Sequence, residues 1–326
     1  MALSRRQLTT LRALRRYWYL RAAQVHDLIA RDENRADWDK DNSITREVMR
    51  SLLALNFVRR YEPHPPGDPR TKGPPIYVLT TSGSCALAQE TRDVADVLAI
   101  EPTFRDYSSL QHYLALSSLH MTIDRAFAAQ KAARQHALYF EHEVIAASAD
   151  PSCRYRLHTS FPHSNLKCCP DSALEFEVHG YRRALYFEFE TGSDGSPQRV
   201  VAKKHKGYAQ LQASGLFRRH FPQARDFRVV CMCPYASFRD SLRAAFREKR
   251  GEETVTLPGA DLWLFALADE IRPETFLHEP LLWALDRGPF PLIPRPAPAP
   301  PAGAEIGAEP VPEASETAIA RETQDV

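Results

Sequence analysis

The stretch Ala184-Leu-Tyr-Phe-Glu-Phe-Glu190 is the part of this 326-residue chain that most limits which folds are possible. Its apolar residues predict a buried strand, and residues two apart in a strand face the same side. Glu188 and Glu190 therefore project together. Asp171 lies 17 residues before Glu188, at the start of the preceding predicted strand, which a hairpin brings alongside. The sequence thus predicts three carboxylates that converge on one spot.

Outward from these two strands, the apolar periodicity predicts alternating strands and helices. Their order is a long helix, three strands, then helix, strand, helix and strand. It is typical of an α/β sandwich in which the first strands pair antiparallel and later strands are added through helices. The predicted elements are the helix 107–134, the strands 137–145, 173–178 and 183–190, the helix 200–214, the strand 227–232, the helix 237–247 and the strand 262–267.

The N-terminal residues predict three helices followed by a two-stranded hairpin. Ser43 can cap the third helix, and a loop rich in Pro and Gly separates the strands at 57–61 and 76–79. This is the order of a winged helix-turn-helix, which places its third helix in the major groove and its wing against the DNA backbone.

We therefore expect a mixed α/β chain in three parts. Residues 1–100 form a winged helix-turn-helix DNA-binding domain, and residues 101–288 form an α/β domain. Residues 289–326 form a disordered tail, because proline is frequent there and large apolar residues are scarce.

Basic residues are concentrated near the N-terminus. Residues 1–60 hold 13 Lys/Arg against 7 Asp/Glu, although the whole chain has a formal net charge of only +1. Such an excess indicates a polyanionic partner, here DNA, and a solvated basic helix face is the alternative. The candidate DNA contacts lie on the third helix, the following strand and the wing: Ser43, Thr45, Arg46, Arg50, Arg59, Arg60, Arg70 and Lys72.

The three predicted carboxylates have the chemistry of a metal site. Their mutual repulsion raises the pKa of one or more of them. A Mg²⁺ or Mn²⁺ ion bound by Asp171, Glu188 and Glu190 relieves that repulsion and activates a water molecule for attack on phosphorus. Lys204 lies on the next predicted helix, where its ammonium group stabilises charge on the phosphate oxygens in the transition state. These four residues are the candidate catalytic residues of a nuclease.

Alternating glutamates are also common on solvent-facing strands, as in Glu141-His-Glu143 of the same chain. The nuclease interpretation therefore depends on the whole order of Pro-Asp, strand, turn, Glu-x-Glu and lysine-bearing helix. A relaxase that forms a covalent phosphotyrosyl link normally has a His-x-His pair separated by an apolar residue, and the sequence has no such pair.

The order Pro170-Asp171, Glu188-Phe-Glu190 resembles the PD-(D/E)xK restriction-endonuclease superfamily. Glu190 stands where that motif has its lysine, and Lys204 matches a variation in which the lysine has moved to the next helix. With the N-terminal helices, the chain resembles the replication-relaxation family, which includes the MobC-type relaxases of mobilisable plasmids. The supporting residues are Leu8–Arg16, Tyr77-Val-Leu-Thr-Thr-Ser-Gly, His112-Tyr-Leu-Ala-Leu, Glu188-Phe-Glu190-Thr-Gly and Lys204-x-x-x-Tyr208.

This resemblance implies a PD-(D/E)xK endonuclease-like domain that nicks one strand of DNA at a transfer or replication origin. It implies a metal-dependent, site-specific enzyme of plasmid mobilisation or replication, with the winged helix locating the site. His112 matches a position that the family usually fills with His, and both a catalytic role and a helix-capping or core role stay open. Because Glu190 replaces the expected lysine, the alternative is a non-catalytic DNA-binding replication or regulatory protein with a degenerate nuclease fold.

The sequence also carries expectations about location and partners. No apolar run approaches the ~20 residues that span a bilayer, and the N-terminus lacks a secretory signal. We therefore expect a cytoplasmic protein with no membrane partner. Residues 303–326 carry six acidic residues and a single arginine, and this acidic tail is a candidate contact for other mobilisation or replication proteins.

Overall fold

The computed structural model describes residues 3–33, 42–64, 72–94, 102, 107–141, 143, 155–161, 164–192 and 196–295. Within these ranges the chain mixes helices and strands, as the sequence predicted. The helices are α1 Arg5–Tyr17, α2 Ala22–Asp32, α3 Ser43–Ala54, α4 Thr81–Thr91, α5 Tyr107–Ala128, α6 Pro197–Ser214 and α7 Ala236–Ala245. The strands are β1 Tyr19–Arg21, β2 Val58–Tyr61, β3 Ile76–Leu79, β4 Ala133–Phe140, β5 Thr159–Ser160, β6 Lys167–Cys168, β7 Ser172–Val178, β8 Tyr181–Phe189, β9 Phe227–Cys233, β10 Arg247–Arg250, β11 Glu253–Thr256 and β12 Trp263–Leu267.

The first three helices pack around a common apolar core. α1 begins with a capping box, in which Ser4 Oγ accepts the N–H of Gln7 at 3.3 Å and Gln7 Oε1 accepts the N–H of Ser4 at 2.8 Å. α3 begins at Ser43 itself, and Asn42 occupies the capping position that the sequence assigned to Ser43. The core of this N-terminal part includes Leu11, Leu14, Val25, Ile29 and Leu52, all of them buried.

A small antiparallel sheet completes this N-terminal part, with the strand order β1-β3-β2. β2 and β3 are the two predicted hairpin strands, and Val58 pairs with Leu79. β1 was not predicted, because three residues are too few for a periodic signal. It pairs along β3, with Tyr19 opposite Val78.

A five-stranded sheet forms the centre of the larger part, with the order β12-β9-β8-β7-β4. β4, β7 and β8 pair antiparallel, whereas β8, β9 and β12 pair parallel. Parallel neighbours need a crossover, and the connections that contain α6 and α7 supply it. The predicted division into antiparallel first strands and helix-linked later strands is confirmed.

The two faces of this sheet are covered by separate apolar clusters. Tyr186 belongs to the cluster under α6 and α7, and Phe187 belongs to the cluster under α5. Because side chains alternate along β8, Glu188 faces the same side as Tyr186, toward α6. The apolar residues of β8 therefore determine the direction in which its acidic residue points.

Polar and aromatic contacts join α1 to α5 and β4. The carboxylate of Asp124 on α5 accepts hydrogen bonds from Arg16 at 2.8 and 3.1 Å, from the hydroxyl of Tyr17 at 2.9 Å and from Gln135 at 2.7 Å. The ring of Tyr19 stacks on Tyr113 with centroids 5.0 Å apart. These contacts hold the N-terminal helices against the long helix that also supports the sheet.

The packed chain continues beyond residue 288, where the sequence predicted the tail to begin. Phe290 and Leu282 exchange backbone hydrogen bonds of 2.9 and 3.0 Å, and the N–H of Ile293 bonds to the carbonyl of Leu277 at 2.8 Å. Ile293 is buried in the cluster under α5, since the segment 289–293 still carries large apolar side chains. Residues 296–326 of the predicted tail lie outside the described residues.

Candidate active site

Asp171 is fixed beside the end of β8 by the pairing of β7 with β8. Ser172 lies opposite Phe187 in this pair. The N–H of Asp171 bonds to the carbonyl of Phe187 at 3.2 Å, and Asp171 Oδ2 accepts the N–H of Phe189 at 2.7 Å. The hairpin predicted from the sequence therefore brings this carboxylate next to the residues that follow Phe187.

Lys204 joins the two glutamates of the Glu-x-Glu segment. Its Nζ lies 2.5 Å from Glu188 Oε2 and 2.7 Å from Glu190 Oε1. Tyr208, one turn later on α6, donates its hydroxyl hydrogen to Glu188 Oε1. Glu188 and Glu190 thus face the same side, and the lysine of the following helix reaches both of them.

Burial governs the protonation of this cluster, because Glu188 is 1% and Glu190 is 3% exposed. Burial raises the pKa of Glu188, and the nearby Lys204 ammonium opposes the rise. Burial also raises the pKa of Asp171, to about 6, again against the effect of Lys204. Burial would lower the pKa of Lys204, but the surrounding carboxylates raise it well above its ordinary value. Lys204 therefore stays protonated, and its positive charge interacts with several carboxylates at once.

A second group of potential ligands includes Asp171 together with His112 and Glu141. His112 Nε2 lies 3.7 Å from Asp171 Oδ1. With a carboxylate oxygen of Glu141, the ligand atoms of these residues all lie within 4.8 Å of one another. Glu141 directly follows β4, and its N–H bonds to the carbonyl of Asp171 at 3.0 Å. Imidazole nitrogen and carboxylate oxygen are donors suited to a divalent metal ion, so this donor set fits such an ion.

His112 lies on α5 and was left open in the sequence as catalytic or structural. Its ring packs edge-on against Phe189, with centroids 6.2 Å apart. Burial lowers its pKa, and the carboxylates of Glu141, Glu188 and Glu190 oppose the change. A neutral imidazole keeps a nitrogen lone pair for a ligand. The structure therefore places His112 at the carboxylate cluster and not in an unrelated part of the core.

Sequence reasoning missed Glu141 as a functional residue. The segment Glu141-His-Glu143 was interpreted as alternating glutamates on a solvent-facing strand. The position of Glu141 beside Asp171 follows from the register of β4 with β7, in which Phe140 lies opposite Ser172. Only the strand pairing, which composition and spacing do not determine, could have identified it.

Several of the predicted DNA contacts line one cleft of the N-terminal part. This cleft has a volume of about 690 Å³ and lies between α2, α3 and the small sheet. The exposed residues Arg46, Arg50 and Arg60 line it. Thr45 is different, because it is 2% exposed and its hydroxyl lies 3.2 Å from His26 Nδ1. It also lines the cleft, but its contact with His26 of α2 leaves little of its surface accessible.

The remaining predicted DNA contacts lie at the start of α3 and along the hairpin. Ser43 is exposed. The acidic residue Glu62 pairs with Arg60 and with Lys72, each at 2.6 Å, so it offsets part of the positive charge there. Arg59 donates to the Tyr61 hydroxyl at 3.4 Å. Arg70 lies outside the described residues.

The model of the replication-relaxation family matches residues 11–223. This range covers well over half of the 326 residues, so the chain belongs to the replication-relaxation family. Membership points to a role in the replication or mobilisation of plasmids. A search among curated proteins found no match. None of the described helices combines the length and apolar character needed to cross a membrane.

Proposed function

We propose that this chain is a metal-dependent, site-specific DNA nicking enzyme that acts in the mobilisation or replication of a plasmid or integrative element. The observation that carries the proposal is the contact of Lys204 with both Glu188 and Glu190 beside Asp171. It supports a PD-(D/E)xK-like site in which the lysine comes from the helix after the strand. Burying such a cluster costs stability unless every charge is compensated, and clusters of this kind are concentrated at functional sites.

The residues of this site have distinct roles in the proposed reaction. Asp171 would hold Mg²⁺ or Mn²⁺, which would supply a Lewis acid and an activated water molecule, and Glu188 and Glu190 hold Lys204 beside it. Lys204 supplies a positive charge for the phosphate oxygens in the transition state. The hydroxyl of Tyr208 orients Glu188, and the N–H of Phe189 orients Asp171.

The N-terminal part supports a DNA-reading role as a winged helix-turn-helix. Three helices are followed by the β2–β3 hairpin, and Arg46, Arg50 and Arg60 line the cleft beside α3. Guanidinium groups in such positions bind phosphates or base edges. Because Asp124 ties α1 to α5, DNA bound to this part would lie in a defined position relative to the sheet.

The variant Asp171→Asn tests the enzyme proposal. Asparagine keeps an acceptor for the N–H of Phe189 but removes the charge. We expect nicking of supercoiled plasmid that carries the origin, with Mg²⁺ or Mn²⁺, to fall by at least about 100-fold. The affinity for origin DNA should change little. Asp226→Asn alters an exposed carboxylate 4.0 Å from Arg183 and is the matched control. Undiminished nicking by Asp171→Asn would rule the proposal out.

A second candidate is a non-catalytic DNA-binding protein of plasmid replication or regulation. It is favoured by the same contact, because a lysine bonded to two glutamates is also a complete structural ion-pair cluster. Under this proposal, Arg46→Ala and Arg50→Ala impair function, whereas Glu188→Gln does not. Loss of activity in Glu188→Gln with DNA binding preserved would decide against it.

A further inference from the structure

The carboxylates around Asp171 divide into two groups with different partners. Glu188 and Glu190 are both bonded to Lys204. Asp171 instead lies with His112 and Glu141. We propose that a divalent metal ion binds to His112, Glu141 and Asp171, and that Glu188 and Glu190 hold Lys204 and not the metal. The use of this ion in DNA cleavage rests on the proposed function, but the binding itself does not.

The geometry of His112, Glu141 and Asp171 suits one ion. Their ligand atoms lie within 4.8 Å of one another, whereas two oxygen ligands at about 2.1 Å from an ion are at most about 4.2 Å apart. Side-chain shifts that draw these ligand atoms inward therefore complete the set. His112 lies on α5, Glu141 directly follows β4 and Asp171 directly precedes β7. The hydrogen bond from the N–H of Glu141 to the carbonyl of Asp171 holds these two residues side by side.

The balance of charge also favours a cation at this position. Asp171 interacts electrostatically with Glu141, with Glu190 and with the ammonium of Lys204. Lys204 lies within hydrogen-bonding distance of both glutamates, whereas Asp171 has the carboxylate of Glu141 as a neighbour. Carboxylates held close together repel one another. A divalent ion between Asp171 and Glu141 relieves that repulsion.

The imidazole of His112 sets the expected metal preference. Nitrogen ligands favour first-row transition metals, whereas Mg²⁺ prefers an all-oxygen set. We therefore expect Mn²⁺ to bind more tightly than Mg²⁺. Replacing the ring nitrogen by an amide oxygen, as in His112→Gln, should reduce the ratio of Mn²⁺ to Mg²⁺ affinity.

The proposal is tested by titrating the full chain with Mn²⁺ without DNA and following free Mn²⁺ by electron paramagnetic resonance. We expect one tight site, which Glu141→Gln weakens by at least about 30-fold. Glu143→Gln is the matched control, because it removes the same charge two residues away, and it should weaken binding by about threefold at most. Competition with Mg²⁺ in the unaltered protein and in His112→Gln measures the metal preference.

A charge-neutral double variant separates the two carboxylate groups. Lys204→Met combined with Glu190→Gln removes one charge of each sign, so it should keep Mn²⁺ affinity within about threefold if Glu190 is not a ligand. Loss of binding in this double variant, with its folded state checked by circular dichroism, would overturn the proposal. The same holds if the unaltered protein binds no Mn²⁺, or if Glu141→Gln binds as well as Glu143→Gln.

Nicking assays on the same variants distinguish the two proposals. If Mn²⁺ binds as expected but origin DNA is not nicked, the metal site stands and the nicking function fails. If Glu141→Gln loses Mn²⁺ but nicks DNA as efficiently as the unaltered protein, the nicking function stands and this ion takes no part in it.

Discussion

The cleft beside α3 and the end of β8 hold charged side chains in opposite environments. Arg46 and Arg50 are exposed in the cleft, whereas Glu188 is 1% exposed and needs both Lys204 and Tyr208 as partners. Exposed charges keep their hydration and cost little on folding. Buried charges lose it, so each must be compensated within the protein.

This difference separates a surface suited to binding from a site suited to chemistry. Arginines on one helix and one hairpin need only local structure to reach a polyanion. The buried cluster draws on α5, β4, β7, β8 and α6 at once, because a carboxylate with a shifted pKa requires groups from several directions. Changes in the two regions should therefore differ in their effect on stability.

The largest expected effect is that of Lys204→Met. Removing the ammonium leaves Glu188 and Glu190 buried without a cation. We expect the free energy of unfolding, measured by urea denaturation at neutral pH, to fall by about 3–5 kcal/mol. Nicking activity should be lost as well.

Lys203→Met is the matched control for this change, since Lys203 is the exposed neighbour on the same helix. Its free energy of unfolding should stay within about 0.5 kcal/mol of the unaltered protein. If both variants are equally stable, the buried cluster is no more constrained than the surface, and the contrast between the two regions fails.

A smaller effect is expected at His220, a buried titratable group outside the carboxylate cluster. The Tyr186 hydroxyl bonds to its Nδ1 at 2.7 Å, and Thr159 Oγ1 lies 3.0 Å from its Nε2. Burial, helped by the charges of Arg219 and Arg156 and by His158, lowers its pKa to about 4. The pKa in the unfolded chain is about 6.5. As the pH falls below 6.5, the unfolded state binds a proton first, so stability is lost progressively down to about pH 4.

At pH 5 this loss amounts to about 2 kcal/mol relative to neutral pH. His220→Gln removes that contribution, so its unfolding free energy should change less between pH 7 and pH 5 than that of the unaltered protein. His179→Gln, in the exposed turn after β7, is the control and should keep the full pH dependence. Identical pH profiles for all three proteins would show that burial of His220 does not control its protonation.

Much of the fold was predictable because it depends on local patterns. The apolar runs of β7 and β8, the stripe of α5 and the alternation of the later strands with helices are visible in the sequence, and the structure confirms them. The convergence of Glu188, Glu190 and Lys204 was also predictable, because a strand turns alternate side chains to one face and the next helix covers that face.

The features of the fold and the site that could not be predicted depend on contacts between distant parts of the chain. Glu141 joins Asp171 only through the register of β4 with β7, and a one-residue shift would turn it to the other face. Thr45 is a polar residue on the third helix, as a DNA contact would be, but packing against His26 buries it. Neither outcome follows from spacing alone, because strand register and helix packing are settled by the whole core.

The smallest effect on stability is expected at Arg50, where the consequence for binding should be clearest. Arg50→Ala should leave the free energy of unfolding within about 0.5 kcal/mol, because the side chain is exposed. If Arg50 contacts a phosphate, the dependence of origin-DNA affinity on salt should weaken, with the slope of log affinity against log salt concentration falling by about 1.

Lys131→Ala removes an equal charge from the exposed turn between α5 and β4 and should leave the slope unchanged. Equal slopes for Arg50→Ala and Lys131→Ala would mean that the cleft attracts DNA only through net charge, since a phosphate contact is local and overall charge is not.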